Sequence, residues 1–271
     1  MTLSDRLLDV YQRLYAAYGP QRWWPGDTPF EVIVGAILTQ SAAWTNVEKA
    51  IANLKAADAL SASGLARLSE EELARMVYPA GYFNAKARKL KAFVEMVRSS
   101  FGGEVERLLA APQEELRGLL LNTHGIGPET ADSILLYAAG RPTFVIDAYT
   151  RRLFRRLSMA APQESYESWQ SLFTANLEAD ATLFNEYHAL IVRHGKGVCR
   201  REPRCEGCPL LEVCPTGQAR MGAEAAGKQG APAGKAKPEH EEASRPLLQR
   251  IEISLHLQSV DESFRYTVGR L

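Results

Sequence analysis

The sequence predicts an all-α fold, and three observations predict it. Apolar residues over positions 1–198 recur at three- and four-residue intervals, the Val/Ile alternation of strands is nearly absent there, and Gly and Pro divide the pattern into helix-sized lengths. The first helix is read from Leu7, Leu8, Tyr11, Leu14, Tyr15 and Tyr18, which fall on one face. Thr28-Pro29-Phe30-Glu31 starts the second: Thr28 caps, Pro29 suits the first turn and Glu31 completes a capping box. This helix is predicted to run unbroken to about Leu54, and its apolar first half makes it central and buried. Further helices are predicted over 70–78, 84–99, 112–122, 129–139, 148–157, 166–177 and 180–194. The breaks between them fall at Pro79, Gly81, Gly102-Gly103, Pro112, Gly125, Gly127, Gly140, Pro142 and Pro162.

The chain has 271 residues, 46% hydrophobic and 24% charged, enough to bury a substantial core. Its 32 basic and 32 acidic residues give a net charge of zero, which excludes nucleic-acid binding by bulk charge but not by a local basic face. The longest apolar run, Val32 to Leu38, is too short to cross a membrane, and Met1-Thr-Leu-Ser-Asp-Arg lacks a signal-peptide layout. A soluble cytoplasmic protein is expected. All 4 cysteines lie between Cys199 and Cys214, as in a metal site rather than a disulfide framework. A helical domain over 1–198 is therefore followed by a cysteine loop over 199–215. Residues 216–246 are rich in Ala, Gly, Lys and Glu, have no aromatic residue, and read as a flexible linker. In the tail, 247–271, Ile251, Ile253, Leu255 and Leu257 alternate with polar residues, as do Phe264, Tyr266 and Val268. This is a hairpin pattern or a partner-binding segment.

The most informative stretch is Leu119-Leu-Leu-Asn-Thr-His-Gly-Ile-Gly-Pro-Glu-Thr-Ala-Asp132. One helix is expected to end near Asn122 and another to start at Pro128, with Gly125-Ile126-Gly127 as a tight hairpin between them. Glycines let the backbone turn and present its N–H groups, and a helix N-terminus beside them makes an anion site. Ile126 would anchor the hairpin in the core, with Thr130 in the first turn beyond it. A plain helix-to-helix turn has the same signature. Phe144-Val-Ile-Asp147 follows, and then a helix opening with Ala148-Tyr-Thr-Arg-Arg-Leu.

Hairpin, aspartate and cysteine cluster, in this order, resemble the helix–hairpin–helix DNA glycosylases of the endonuclease III superfamily over residues 25–214. The resemblance implies two helical subdomains, double-stranded DNA carrying a damaged base as partner, and a monomer. It places Asp147 beside the sugar of an extruded nucleotide, where a carboxylate stabilises an oxocarbenium-like state and activates water. Asp147 is equally a helix cap. Bifunctional members of the family carry a lysine two residues past the second glycine, and here that residue is Glu129, which cannot form a Schiff base. No lysine lies between Lys91 and Lys196. The expectation is a monofunctional glycosylase, with an endonuclease III-type glycosylase/lyase and a non-catalytic lesion-binding protein as alternatives. The hairpin glutamate, and Ile37-Leu-Thr-Gln-Ser-Ala-Ala-Trp44, resemble the subgroup acting on alkylated bases such as 3-methyladenine. Ser41-Ala42 stands where that subgroup often has Asn-Thr.

Trp24 and Trp44 are candidate walls for a flipped base, with Trp23 a weaker one. Gln40 is placed one helical turn before Trp44 on the same face. Core filling is the other fate open to these tryptophans. Three basic groups could neutralise phosphates: Lys86, Arg88, Lys89 and Lys91; Arg151, Arg152, Arg155 and Arg156; and Arg193, Lys196, Arg200, Arg201 and Arg204. The third is the best candidate, because a metal knot would hold it rigid. That knot is Cys199-x5-Cys205-x2-Cys208-x5-Cys214. Four thiolates suit zinc or a [4Fe–4S] cluster. The family's cluster loop has a closely similar spacing with a first gap one residue longer, which favours [4Fe–4S] in a structural role.

Overall fold

The computed structural model describes residues 1–229. The tail pattern and the later part of the linker lie outside the described residues. Among the described residues there are thirteen α-helices and no strand.

Helix α1, Leu3–Tyr18, begins at a closed capping box in which Thr2 and Asp5 bond each other's backbone N–H. Helix α2, Pro29–Leu38, is capped by Thr28, whose Oγ1 accepts from Glu31 N at 3.1 Å. Glu31 does not close the predicted box. Its carboxylate accepts from Asp27 N at 3.1 Å and pairs with Lys55 at 2.9 Å. Every residue from Phe30 to Leu38 is buried, as the apolar sequence requires. The predicted single helix to Leu54 is in fact two. Thr39–Ala43 break it, and α3 spans Trp44–Ala56. The small polar residues there offer no apolar stripe to hold a continuous helix on the core.

Short helices α4, Ala62–Arg67, and α5, Glu70–Met76, are capped by Ser61 and Ser69, which accept from Gly64 N and Glu72 N. Helix α6, Phe83–Phe101, precedes α7, Val105–Ala110, and α8, Gln113–Leu121. Helices α4 and α7 went unread in the sequence, since six residues are too few to display a period. Helix α9, Pro128–Ser133, continues into a π-turn over Ile134–Ala138. Helices α10, Ala148–Arg156, α11, Tyr166–Thr174, and α12, Ala181–Gly197, follow. Helix α13, Pro215–Gln229, occupies the start of the predicted linker. Its Ala, Gln, Arg and Glu content favours helix, and Pro215 suits the first turn.

Two cores form. Ile33, Ile37, Leu54, Leu73, Leu90, Phe93, Leu116, Leu120 and Leu135 knit α2–α9 into one lobe. Leu7, Leu14, Phe144, Phe154, Trp169, Phe173 and Tyr187 join α1 to α10–α12 in the other. Phe144 and Phe173 stack at 3.9 Å and 4° at the centre of the second. Residues of α2 and the hairpin from one lobe, and of α10 and α12 from the other, line a common cleft.

Candidate active site

The hairpin forms as its glycines dictate. Gly125 has φ +79°, and a Cβ there would run into the Lys89 side chain, so both conformation and space favour glycine. Ile126 is buried and its N–H donates to Thr123 O at 3.1 Å. That N–H is engaged within the turn and does not face outward. Gly127 is the N-cap residue of α9. Thr130, in the cleft wall, is largely buried, and its hydroxyl accepts from Gln40 Nε2 at 2.9 Å. Gln40 also donates to Gly125 O at 3.1 Å and accepts from Lys89 Nζ. It latches the end of α2 to the hairpin. Gln40 lies within the helix break and Trp44 at the start of α3, both in the cleft wall and not on one helix face.

The cleft measures about 750 Å³, within the roughly 300–1,000 Å³ of ligand pockets. Trp23, Trp24, Gln40, Trp44, Glu129, Asp147, Tyr149, His188 and Lys196 all line it. Trp24 and Trp44 meet edge to face, at 5.4 Å and 87°, and so do not form parallel plates. Trp23 stacks on Trp24 at 5.5 Å and 12°, and on His188 at 5.9 Å and 16°. Trp23, the weakest of the three candidates in the sequence, is thus the one packed on the carboxylate's neighbour.

Asp147 caps α10. Its Oδ1 accepts from Thr150 N at 2.7 Å and Thr150 Oγ1 at 2.8 Å. Its Oδ2 lies 3.7 Å from His188 Nε2. Burial would raise the carboxyl, but His188 and the Thr150 bonds outweigh it and hold Asp147 below its ordinary range. Glu129, accessible from the cleft, is shifted the opposite way, by partial desolvation first and the Asp147 charge second. The two carboxyls are therefore biased apart, one toward the ionised and one toward the neutral form.

His188 and Tyr137 escaped the sequence reading as site residues, and Lys196 was read there only as a phosphate-neutralising cation. Positions 188, 192 and 196 share one face of α12, and all three line the cleft. That four-residue spacing was the available signal. Lys196 is distant from the hairpin in sequence, yet it is an amine in the cleft that holds Asp147.

The basic groups separate clearly. Lys86 is buried and donates to Ala80 O at 2.6 Å, Lys91 donates to the carbonyls of Leu65, Ala66 and Leu68, and Arg88 pairs with Glu70 at 3.6 Å. Arg151 and Arg155 pair with Glu164, while Arg152 bonds Cys199 O and Gly195 O. These two groups hold the fold together. Arg200, Arg201 and Arg204 of the third are exposed, and among the described residues only Arg200 makes a side-chain hydrogen bond, to Lys196 O at 3.0 Å.

Cys199, Cys205, Cys208 and Cys214 are free thiols around one cavity. Arg156 donates to Cys199 Sγ at 3.2 Å, and Gly217 N to Cys214 Sγ at 3.3 Å. His194, buried and pushed down to about 4, is neutral; it bonds the Tyr18 hydroxyl at 2.8 Å and approaches Cys208 Sγ at 3.9 Å. Burial, and after it the neighbouring thiols, pushes Cys208 and Cys214 up. Among the described residues no three His, Cys, Asp or Glu side chains converge as a single-ion site requires.

Fold and site together define a helix–hairpin–helix DNA-repair enzyme. The profile of the HhH-GPD superfamily base excision DNA repair proteins matches residues 34–178. A chain of Methanocaldococcus jannaschii assigned as a DNA repair glycosylase is 42% identical over 213 residues, 78% of this chain and 96% of that one. Among solved structures, a trapped endonuclease III–DNA covalent intermediate superimposes with TM-score 0.70 at 21% identity, over 82% of this chain and 100% of that one. A Helicobacter pylori 3-methyladenine DNA glycosylase bound to 1,N6-ethenoadenine gives TM-score 0.60 at 26% identity, over 72% and 98%. The chain belongs to the HhH-GPD superfamily and is a DNA glycosylase of base-excision repair.

Proposed function

We propose that the protein is a monofunctional DNA glycosylase that draws a damaged, alkylated base from duplex DNA into the cleft and hydrolyses its N-glycosidic bond. The observation that carries this reading is the composition of the cleft wall. It joins the free Oδ2 of Asp147, the Glu129 carboxyl and three indoles, with glutamate at the family's lysine position. Electron-poor and cationic purines bind indole faces well. The ionised Asp147 stabilises positive charge developing on the sugar, and Glu129 is biased to supply a proton to a departing neutral base. Gly125, Ile126 and Gly127 shape the turn that approaches the phosphate backbone, and Arg200, Arg201 and Arg204 neutralise flanking phosphates.

The all-sulfur donor set, spread around a cavity and served by N–H donors, fits a [4Fe–4S] cluster held by Cys199, Cys205, Cys208 and Cys214. When bound it supplies structural cross-linking of the loop that presents the three arginines.

The test incubates the purified protein with methylated duplex DNA and scores free base and strand breaks separately. Base release with breaks only after alkali is expected. No base release from methylated duplex or from duplexes carrying uracil, mispaired thymine or 8-oxoguanine, with DNA binding retained, would favour a lesion-binding protein. One observation favours a second reading with lyase chemistry: Lys196 lines the cleft. Borohydride trapping on abasic DNA, absent in Lys196→Ala, would establish it.

A further inference from the structure

Asp147 faces a partner to which the proposed reaction gives no role. His188 is 5% exposed, and its Nδ1 is bonded to the Tyr137 hydroxyl. Burial pushes the Tyr137 phenol well above its ordinary range. With that hydroxyl as the donor to Nδ1, Nε2 carries a hydrogen. Trp23 lies parallel to the ring and fixes its plane. Nε2 lies 3.7 Å from Asp147 Oδ2, beyond hydrogen-bond length, and has no hydrogen-bond partner among the described residues. Asp147 Oδ1 is taken by Thr150. His188 and Asp147 thus line the same cleft, with a buried unpartnered nitrogen and a carboxylate oxygen separated by a gap too wide for direct bonding. A buried N–H without a partner is costly and is rare in native folds unless something else serves it.

We propose that His188 is a positioning residue for the hydrolysis: its Nε2–H and Asp147 Oδ2 together seat the water that attacks C1′ of the flipped nucleotide. This rests on the glycosylase reading above. A water about 2.8 Å from each group closes the gap with two hydrogen bonds. Nε2–H donates to the water oxygen, the water donates one hydrogen to Oδ2, and its remaining lone pair is directed into the cleft. In the step, the O–C1′ bond forms, the C1′–N bond breaks, and the bonding pair leaves with the base. The water proton passes to Asp147 Oδ2. The departing pair is met by the positive charge of an alkylated ring, or by a proton from Glu129 for a neutral base. His188 exchanges no proton and acts only by holding the nucleophile in line.

The experiment measures single-turnover base release from duplexes carrying methylated purines, uracil, thymine opposite guanine or 8-oxoguanine, with and without methanol as a competing nucleophile. His188→Leu is expected to slow release about a hundredfold, with little change in affinity for a duplex containing a tetrahydrofuran abasic-site analogue. The share of methyl glycoside among the sugar products should rise, because water has lost its seat. His188→Gln, which carries an N–H near the Nε2 position, should recover most of the rate; His188→Asn, whose amide falls short, should not. Wild-type rates in His188→Leu overturn the assignment. Slow release with an unchanged methanol share and equal Gln and Asn rates also overturns it, because that pattern marks a purely structural histidine. Should the Leu variant fail to fold, the Gln–Asn difference decides alone. A folded wild-type protein that releases none of these bases overturns the glycosylase reading itself, and this assignment with it.

Discussion

At Asp147 the two carboxylate oxygens meet different surroundings, one bonded to Thr150 at the start of α10 and the other facing the cleft. Asparagine retains the capping oxygen but loses the charge. Asp147→Asn should therefore lower base release by a factor on the order of 10²–10³ while the melting temperature changes little; single-turnover kinetics and calorimetry check both halves. Glu129 is shifted upward, so its acid form persists to higher pH than usual and is lost as pH rises through its raised value. Release of neutral bases should decline along that limb, and Glu129→Gln should flatten it in a pH–rate profile. His194 gives a stability prediction of opposite origin. Its folded value, about 4, lies below the ordinary 6.5. The unfolded chain takes up a proton first as pH falls, so stability drops between about pH 6.5 and 4 and levels off below. Chemical denaturation across that range should show a smaller drop in His194→Asn. Gly125 was legible as a turn residue from sequence, whereas its contact with Lys89 was not, because that neighbour is remote along the chain.

Helix α10 is the element that connects the chemistry to the cysteine loop. Its N-terminus is Asp147, and at its other end Arg156 donates to Cys199 Sγ, Arg200 O and Arg201 O. It packs so closely on α12 that a Cβ at Gly195 would lie 2.5 Å from Tyr149 Cδ1. Arg156→Ala should loosen the loop without unfolding the lobes. In protein carrying the proposed cluster, the measurable outcome is faster loss of iron and of its visible absorbance, with helical circular dichroism retained. Helix α2 shows the reach and the limit of periodicity. Its buried character followed from its apolar run, but at the break over Thr39–Ala43 Gln40 latches the hairpin, a partner 85 residues away in sequence.

For the whole molecule, zero net charge conceals an uneven distribution. Three basic groups looked alike in the sequence, and two of them are consumed in holding helix ends and loops. Binding should therefore depend on Arg200, Arg201 and Arg204. Reversing them should weaken duplex affinity for every sequence and lower the slope of log K against log salt by roughly 0.9 for each phosphate no longer neutralised. Titration at several salt concentrations measures it.

The sequence alone determined the helical class, the hairpin, the aspartate that follows an apolar pair, and the all-sulfur knot. Each depends on residues close together in the chain, where backbone preference and local periodicity act. Tertiary structure decided which polar groups converge. Only folding brings His188 of α12 beside Asp147 at the start of α10, puts Lys196 in the same cleft, sets Trp23 against His188, and bonds Thr130 to Gln40. Such convergence arises from packing two lobes around a cleft, and residues that meet across it leave no spacing in the sequence by which to find one another.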